Sequence, residues 1–151
     1  MGDASQYRLL QLIGKGSYGR VFRARSLESG NLVAVKVIES VRDEDLGEDV
    51  RREVETLSRC ASPFVLHYYA SFQQAGSFWV VTELCHAGSL ADVMHAMGKP
   101  LDEPALAAVL AAALSALHYL HHEQKTLHRD VKAANLLLTD TGDVKLADFG
   151  V

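Results

Sequence analysis

The chain has 151 residues, 48% of them hydrophobic and 23% charged, enough for one ordinary domain with a sizeable core and unlike a disordered or fibrous chain. A net charge of −4 at pH 7 argues against a nucleic-acid partner, and two cysteines, Cys60 and Cys85, suggest neither a disulfide framework nor a zinc site, so a reducing, cytoplasmic setting is expected. No apolar run reads as long enough to span a bilayer, no signal-peptide core is found, and Gln6 stands where a myristoylation motif starting at Gly2 needs Ser or Thr.

After a tail at 1–6, residues 7–13, 20–25 and 32–38 favour extended backbone between glycine-containing breaks, which predicts three strands. The run Leu32-Val33-Ala34-Val35 predicts a strand buried on both sides. Residues 44–60 are charged with helical periodicity, and Val50, Val54 and Leu57 share one face. Pro63 closes that helix, and 64–72 and 78–84 predict two more strands around a turn at Gly76. Ser89 caps a short helix to Met97 that Gly98 ends. A long helix follows from an Asp102 cap to about His122, with Pro104 tolerated in its first turn and Leu106, Leu110, Leu114 and Leu117 as an apolar stripe. Beyond it come a loop with Asn135, an apolar run at 136–138, a turn at 140–143 and a strand at 144–147. Strands first and helices later predict an α+β chain in two layers or lobes.

Four polar elements carry chemistry. Gly14-Lys15-Gly16-Ser17-Tyr18-Gly19 matches G-x-G-x-x-G, whose glycines let backbone N–H groups approach phosphates closely. The dinucleotide-binding version of this motif must open a helix, yet Arg20 to Arg25 alternates like a strand. A strand–loop–strand phosphate cover fits better, and an ordinary glycine-rich hairpin is the plain alternative. Lys36 is a lone cation in an apolar strand, so it either snorkels to water or needs an anionic partner. Glu53, between Val50 and Leu57, borders the inward helix face, whereas Glu55 is turned by roughly 200°. In His128-Arg129-Asp130-Val131-Lys132-Ala133-Ala134-Asn135, Asp130 can accept a hydroxyl proton, Lys132 can hold a transferring phosphate, and Asn135 offers an oxygen to a metal. Asp148 of Asp148-Phe149-Gly150, 18 residues after Asp130, supplies the hard carboxylate Mg²⁺ prefers.

This ordered set resembles the protein kinase family over residues 7–151. The resemblance implies a bilobal fold: a five-stranded antiparallel sheet with one main helix at about 7–84, a hinge at about 83–88, and the first, incomplete part of a helical lobe at about 89–151. It implies ATP and Mg²⁺ as cofactors, with Lys36 on the α- and β-phosphates paired to Glu53, Asp130 as base, and Asn135 and Asp148 as metal ligands. Ile13, Val21, Ala34 and Leu137 would sandwich the adenine, backbone groups of Glu83 and Cys85 would bond its edge, Thr82 would be the gatekeeper, and Asp92 would reach the ribose. Lys132, the wording of 128–138 and 144–151, the 17-residue interval from Lys36 to Glu53 and the 83–89 hinge resemble the sterile-twenty-like, germinal-centre branch of serine/threonine kinases.

The resemblance implies phosphorylation of Ser or Thr in protein substrates. A non-catalytic nucleotide-binding or scaffold fragment is the alternative, disfavoured by intact Lys36, Asp130 and Asp148, and a small-molecule kinase is disfavoured by 132–135 and the hinge. Two departures are Thr82 where a bulkier methionine is usual and the length of the 121–127 loop. A third is the end at Val151, which on the resemblance omits the activation segment, its Ala-Pro-Glu anchor and the peptide-binding helices. The chain alone is therefore expected to be inactive on proteins, with the leucines of 106–120 partly exposed unless a protein partner covers them.

Overall fold

The computed structural model describes residues 3–16, 19–39 and 48–148. Ser17 and Tyr18, the expected start of the charged helix at 44–47, and Phe149, Gly150 and Val151 lie outside them. The chain forms two compact units, one within 1–58 and 68–84 and the other within 59–67 and 85–151.

The first unit is a five-stranded antiparallel sheet in the order β1-β2-β3-β5-β4, from β1 (Tyr7–Gly16), β2 (Gly19–Ser26), β3 (Leu32–Glu39), β4 (Tyr68–Gln74) and β5 (Ser77–Glu83). Between β3 and β4 runs α1 (Glu48–Arg59). Alternation along β3 sorts its side chains to two faces. Val33, Val35 and Val37 join Ala24 and Val81 in one buried cluster. On the other face Ile38 and Val80 pack against Val50 of α1, with Val54 alongside. Ala34 and Lys36 share this second face and are only half-buried, so β3 is fully buried on one side rather than on both as expected. Their small and charged side chains leave there a surface that the branched residues on the opposite face do not. Gln74 pairs with Ser77 across a two-residue turn in which Ala75 and Gly76 have φ of 49° and 75°, the mirror-image turn whose twist suits a hairpin.

The second unit holds α2 (Leu90–Met97), α3 (Glu103–His122) and a small antiparallel sheet of β6 (Gly88–Ser89), β7 (Leu136–Leu138) and β8 (Val144–Leu146). Ser89 caps α2 with a reciprocal Asp92 capping box, and Gly98 ends it in a left-handed conformation at φ 62°. Asp102 caps α3 by accepting from the Ala105 N–H at 3.0 Å. Two-residue β6 carries no hydropathy signal of its own and was not foreseen.

Two further expectations are corrected. The strand expected over 64–72 starts only at Tyr68, because 64–66 pairs elsewhere. The Leu66 N–H donates to Leu146 O at 2.9 Å and the Leu146 N–H to Phe64 O at 2.8 Å, so this stretch extends the second unit's sheet edge beside β8. The leucines of α3 are partly exposed, as expected: Leu106, Leu110 and Leu114 are exposed and Leu117 is half-buried, while Val109, Ala113, Ala116 and Leu120 are buried. Small alanines let α3 come close to β8, where Leu146 is also fully buried, and this close approach outweighs leucine's greater area. Finally, α3 at 20 residues is long and apolar enough, by length and composition only, to cross a membrane. Such a helix also suits a domain core, and here its alanine face is buried in the second unit.

Candidate active site

In the first unit, the glycine motif is the tip of the β1–β2 hairpin. Lys15 pairs with Arg20 and Gly16 with Gly19, so the chain enters and leaves the motif as strand, and no helix opens there. Gly19 is needed for closeness: a Cβ on it would lie 2.3 Å from the Val37 carbonyl oxygen. Gly14 sits opposite Val21, after an irregularity in the ladder at Leu12–Gly14 that leaves Ile13 exposed. Val21 stands opposite Lys36, and Ala34 opposite Thr82 on β5, with Val33 opposite Glu83. Val21, Ala34, Lys36 and Thr82 therefore share one sheet face.

That face is the one α1 packs on, which is why Glu53 reaches Lys36. Lys36 Nζ and Glu53 Oε1 are 3.6 Å apart, with side chains 22% and 13% exposed. This is an ion pair rather than a hydrogen bond at that distance. Glu55 points to solvent, as the helix phase requires. Thr82 is buried, and its hydroxyl donates to the Glu83 carbonyl at 3.3 Å.

In the second unit, Cys85 and Leu137 come together: Cys85, Leu66 and Ala147 form a buried cluster on which Leu137 packs. Asp92 is committed to its capping box, its Oδ2 accepting from the Ser89 N–H at 3.0 Å and the Ser89 hydroxyl at 2.6 Å. These bonds hold its carboxyl below the ordinary carboxylate range.

The polar centre of this unit is built around His128, which is 1% exposed. Its Nδ1 accepts from the Asp130 N–H at 3.2 Å, so the ring proton belongs on Nε2, which donates to the Ala147 carbonyl at 3.0 Å. Burial pushes the His128 pKa down, against the opposing pull of the Ala147 bond and the Asp130 and Asp148 charges, and the neutral ring is the form both bonds require. The residues that follow His128 and its partner Ala147 have left-handed backbone: Arg129 at φ 67° and Asp148 at φ 51°. Such conformations cost on the order of 1–2 kcal/mol and persist where surroundings impose them, commonly at functional sites.

Asp130 and Asn135 are bound into one cluster. Asn135, 5% exposed, donates through Nδ2 to the Asp130 carbonyl at 2.8 Å and to Asp130 Oδ2 at 3.0 Å. Lys132 Nζ lies 2.7 Å from the same Oδ2. The Lys132 hydrogen bond, helped by that of Asn135, lowers the pKa of Asp130 and keeps it ionised at neutral pH. The Ala147 N–H donates to the Asn135 carbonyl at 2.9 Å. Ala147 is therefore gripped through N–H by Asn135 and through C=O by His128, and Asp148 leaves that grip exposed. This gathers Asp130, Lys132, Asn135 and Asp148 around one hydrogen-bonded frame. The positioning part of His128 was not legible in sequence, since its partner Ala147 is 19 residues away and offers only a backbone carbonyl.

Among the described residues, a surface cavity of about 530 Å³ in this unit lies elsewhere, lined by Pro63, Phe64, Leu114, His118 and Tyr119 among others. None of the catalytic-loop residues touches it.

A five-stranded antiparallel sheet with its glycine hairpin and Lys36–Glu53 pair, together with the His128-centred loop, defines a protein kinase domain. The chain belongs to that family, whose pattern matches residues 7–151. It is 44% identical over 147 residues to "Serine/threonine-protein kinase 1" of Arabidopsis thaliana, covering 97% of this chain and 18% of that protein. It is 43% identical over 145 residues to "Mitogen-activated protein kinase kinase kinase kinase 3" of Homo sapiens, covering 96% and 16%. Identity is also 43% over 145 residues with "Serine/threonine-protein kinase 4 homolog A" of Dictyostelium discoideum, covering 96% and 31%. The sterile-twenty-like, serine/threonine affiliation read from the sequence agrees with these matches. The chain spans less than a third of the length of these curated relatives.

Proposed function

We propose that this chain supplies the nucleotide grip and catalytic loop of a serine/threonine protein kinase, which transfers the γ-phosphoryl group of ATP to Ser or Thr hydroxyls of protein substrates. The observation that carries the reading is the Asp130–Lys132–Asn135 cluster tied through Ala147 to Asp148. Ionised Asp130 accepts the hydrogen bond, and then the proton, of the acceptor hydroxyl. Lys132 balances charge on the transferring phosphate, and Lys36, oriented by Glu53, holds the α- and β-phosphates. Backbone N–H groups of the glycine motif serve the phosphates; in the first unit Ile13, Val21, Ala34 and the Glu83 backbone, and in the second Leu137 and the Cys85 backbone, are the groups suited to adenine.

The donor set suits Mg²⁺. Asn135 spends its Nδ2 on Asp130, which leaves the amide oxygen for an ion, and Asp148 is an exposed carboxylate held by its Ala147 anchor. Mg²⁺ takes such hard oxygens and keeps several waters. When bound it neutralises phosphate charge. The setting is cytoplasmic, which suits a chain whose two cysteines, Cys60 and Cys85, are both buried. The leucine face of α3 is covered by protein in the working molecule.

The test is phosphoryl transfer from radiolabelled ATP to a generic basic protein, by the parent protein carrying this chain and by its Asp130→Ala variant. Transfer that falls at least a hundredfold in the variant supports the reading. Equal transfer in both removes Asp130 from the chemistry. Mg·ATP binding without any transfer points instead to a nucleotide-binding scaffold.

A further inference from the structure

The last five residues of α3 include His118, His121 and His122, and none of them takes part in the site above. His118 and His122 are four residues apart, so they project from one side of the helix. Both are exposed, and their rings lie together with centroids 4.4 Å apart and planes inclined by 30°. His121, equally exposed, is not in this ring contact.

We propose that His118 and His122 form a two-ligand site for a divalent transition-metal ion, Cu²⁺ ahead of Ni²⁺ and Zn²⁺, with water completing the coordination. Imidazole suits all three metals, and the affinity of a given nitrogen site peaks at Cu²⁺. The ring contact shows that the two imidazoles already lie side by side on one face of the helix. Rotation of two exposed side chains then aims one nitrogen of each ring at the ion with no backbone movement.

Position on the helix favours a cation as well. The end of a helix carries partial negative charge on its last carbonyls, and the next residue, the exposed C-cap Glu123, adds a carboxylate. A bound ion would clip the final turn of α3, six residues before His128. The site is independent of the kinase reading, because no residue is shared.

The test is calorimetric titration of the tag-free 151-residue chain with Cu²⁺, Ni²⁺ and Zn²⁺ salts, comparing the parent with His118→Ala, His122→Ala and His121→Ala. Alanine is the strongest helix former, so these exposed replacements keep α3 folded, which far-ultraviolet circular dichroism checks. The expected result is one ion per chain, tightest for Cu²⁺, with affinity at least tenfold weaker for His118→Ala and for His122→Ala and within twofold of the parent for His121→Ala. Electron paramagnetic resonance of the Cu²⁺-loaded parent should show two equatorial nitrogens, and one in either single variant. Parent-like affinity in the His118 and His122 variants, or an equal loss with His121→Ala, overturns the proposal.

Discussion

Lys36 and Glu53 meet because β3 turns Lys36 to the face on which α1 packs, leaving 3.6 Å between ammonium and carboxylate. The hydrophobic residues set this relationship: Ile38 and Val80 seat Val50, and one helical turn fixes Glu53 beside it. Neutralising Glu53 should loosen Lys36 without unfolding the sheet, because the apolar contacts remain. Glu53→Gln should cost about 1–2 kcal/mol, more than a surface pair since both groups are mostly buried. Glu55→Gln, on the solvent side, should stay within about 0.5 kcal/mol of the parent. Urea denaturation measures both, and a parallel Mg·ATP titration should weaken only for Glu53→Gln. Equal effects of the two replacements would assign the pair wrongly.

Gly19 gives a steric prediction. An added Cβ meets the Val37 carbonyl oxygen at 2.3 Å, and that oxygen belongs to a strand paired on both edges, so it has little room to retreat. Gly19→Ala should therefore cost more than about 2 kcal/mol, above the usual strain of one left-handed alanine. Gly30, with φ of 74° and nothing within 4 Å of an added Cβ, provides the comparison. Gly30→Ala should cost about 1–2 kcal/mol from backbone strain alone. The ordering of the two denaturation midpoints is the check.

His128 gives a pH prediction. Its pKa in the folded state is depressed below the ordinary 6.5 by burial. Below about 6.5 the unfolded chain takes up a proton that the folded chain does not, so the unfolded state binds more protons and stability falls as pH falls. The loss approaches about 1.4 kcal/mol per pH unit once the unfolded histidine is protonated. His128→Leu removes this dependence and strands the Asp130 N–H and Ala147 carbonyl, costing about 2 kcal/mol or more at neutral pH. The gap between parent and variant should therefore narrow on acidification from about pH 7.5 to pH 5.5. A gap that widens or stays constant would show that His128 is not held neutral.

The two faces of α3 should respond oppositely to substitution. Ala116 is fully buried in the close approach to β8, so Ala116→Leu overpacks that contact and should cost about 1–3 kcal/mol. Leu114 is 66% exposed, and Leu114→Ser should cost less than about 0.7 kcal/mol, the propensity difference, while raising solubility. A larger loss for Leu114→Ser than for Ala116→Leu would reverse the assignment of faces. Thermal melts of both variants decide it.

What the sequence made legible follows from range. Capping at Ser89 and Asp102, the stop at Gly98, the hairpin around Gly76 and the phase that singles out Glu53 depend on residues within about one turn or one strand pair, so local pattern reveals them. The catalytic-loop residues were legible because several polar types stand close together at fixed spacing. The exposure of the leucine stripe was legible, but the buried alanine face was not, because hydropathy ranks leucine above alanine while the packing of α3 on β8 rewards small size. The 64–66 stretch looks like the start of β4, and only its hydrogen bonds to Leu146, 80 residues further on, show where it belongs. The left-handed Arg129 carries no compositional mark, for arginine is not among the residues that commonly signal that backbone.

Asn135 and Asp148 should prove separable, although both are assigned to the metal. Asn135 has a structural duty besides its free amide oxygen: its Nδ2 holds the Asp130 carbonyl and carboxylate, and its own carbonyl receives the Ala147 N–H. Asn135→Asp keeps an oxygen for the ion but replaces a buried donor with a second carboxylate facing Asp130. The loss of the donor and the new repulsion should together destabilise the fold by about 2–3 kcal/mol. Asp148, by contrast, is exposed, and its anchor is the backbone of the residue before it. Asp148→Asn retains size and tolerance of left-handed backbone, so stability should stay within about 0.5 kcal/mol of the parent. Its Mg²⁺-dependent ATP affinity should nevertheless drop at least tenfold, because the replacement removes the carboxylate charge offered to the metal. Denaturation and Mg·ATP titration on the same two variants give four numbers. The assignment predicts a stability loss for Asn135→Asp, none for Asp148→Asn, and impaired nucleotide binding for the latter despite an intact fold. Parent-like Mg·ATP affinity in a well-folded Asp148→Asn variant would take Asp148 out of the metal site.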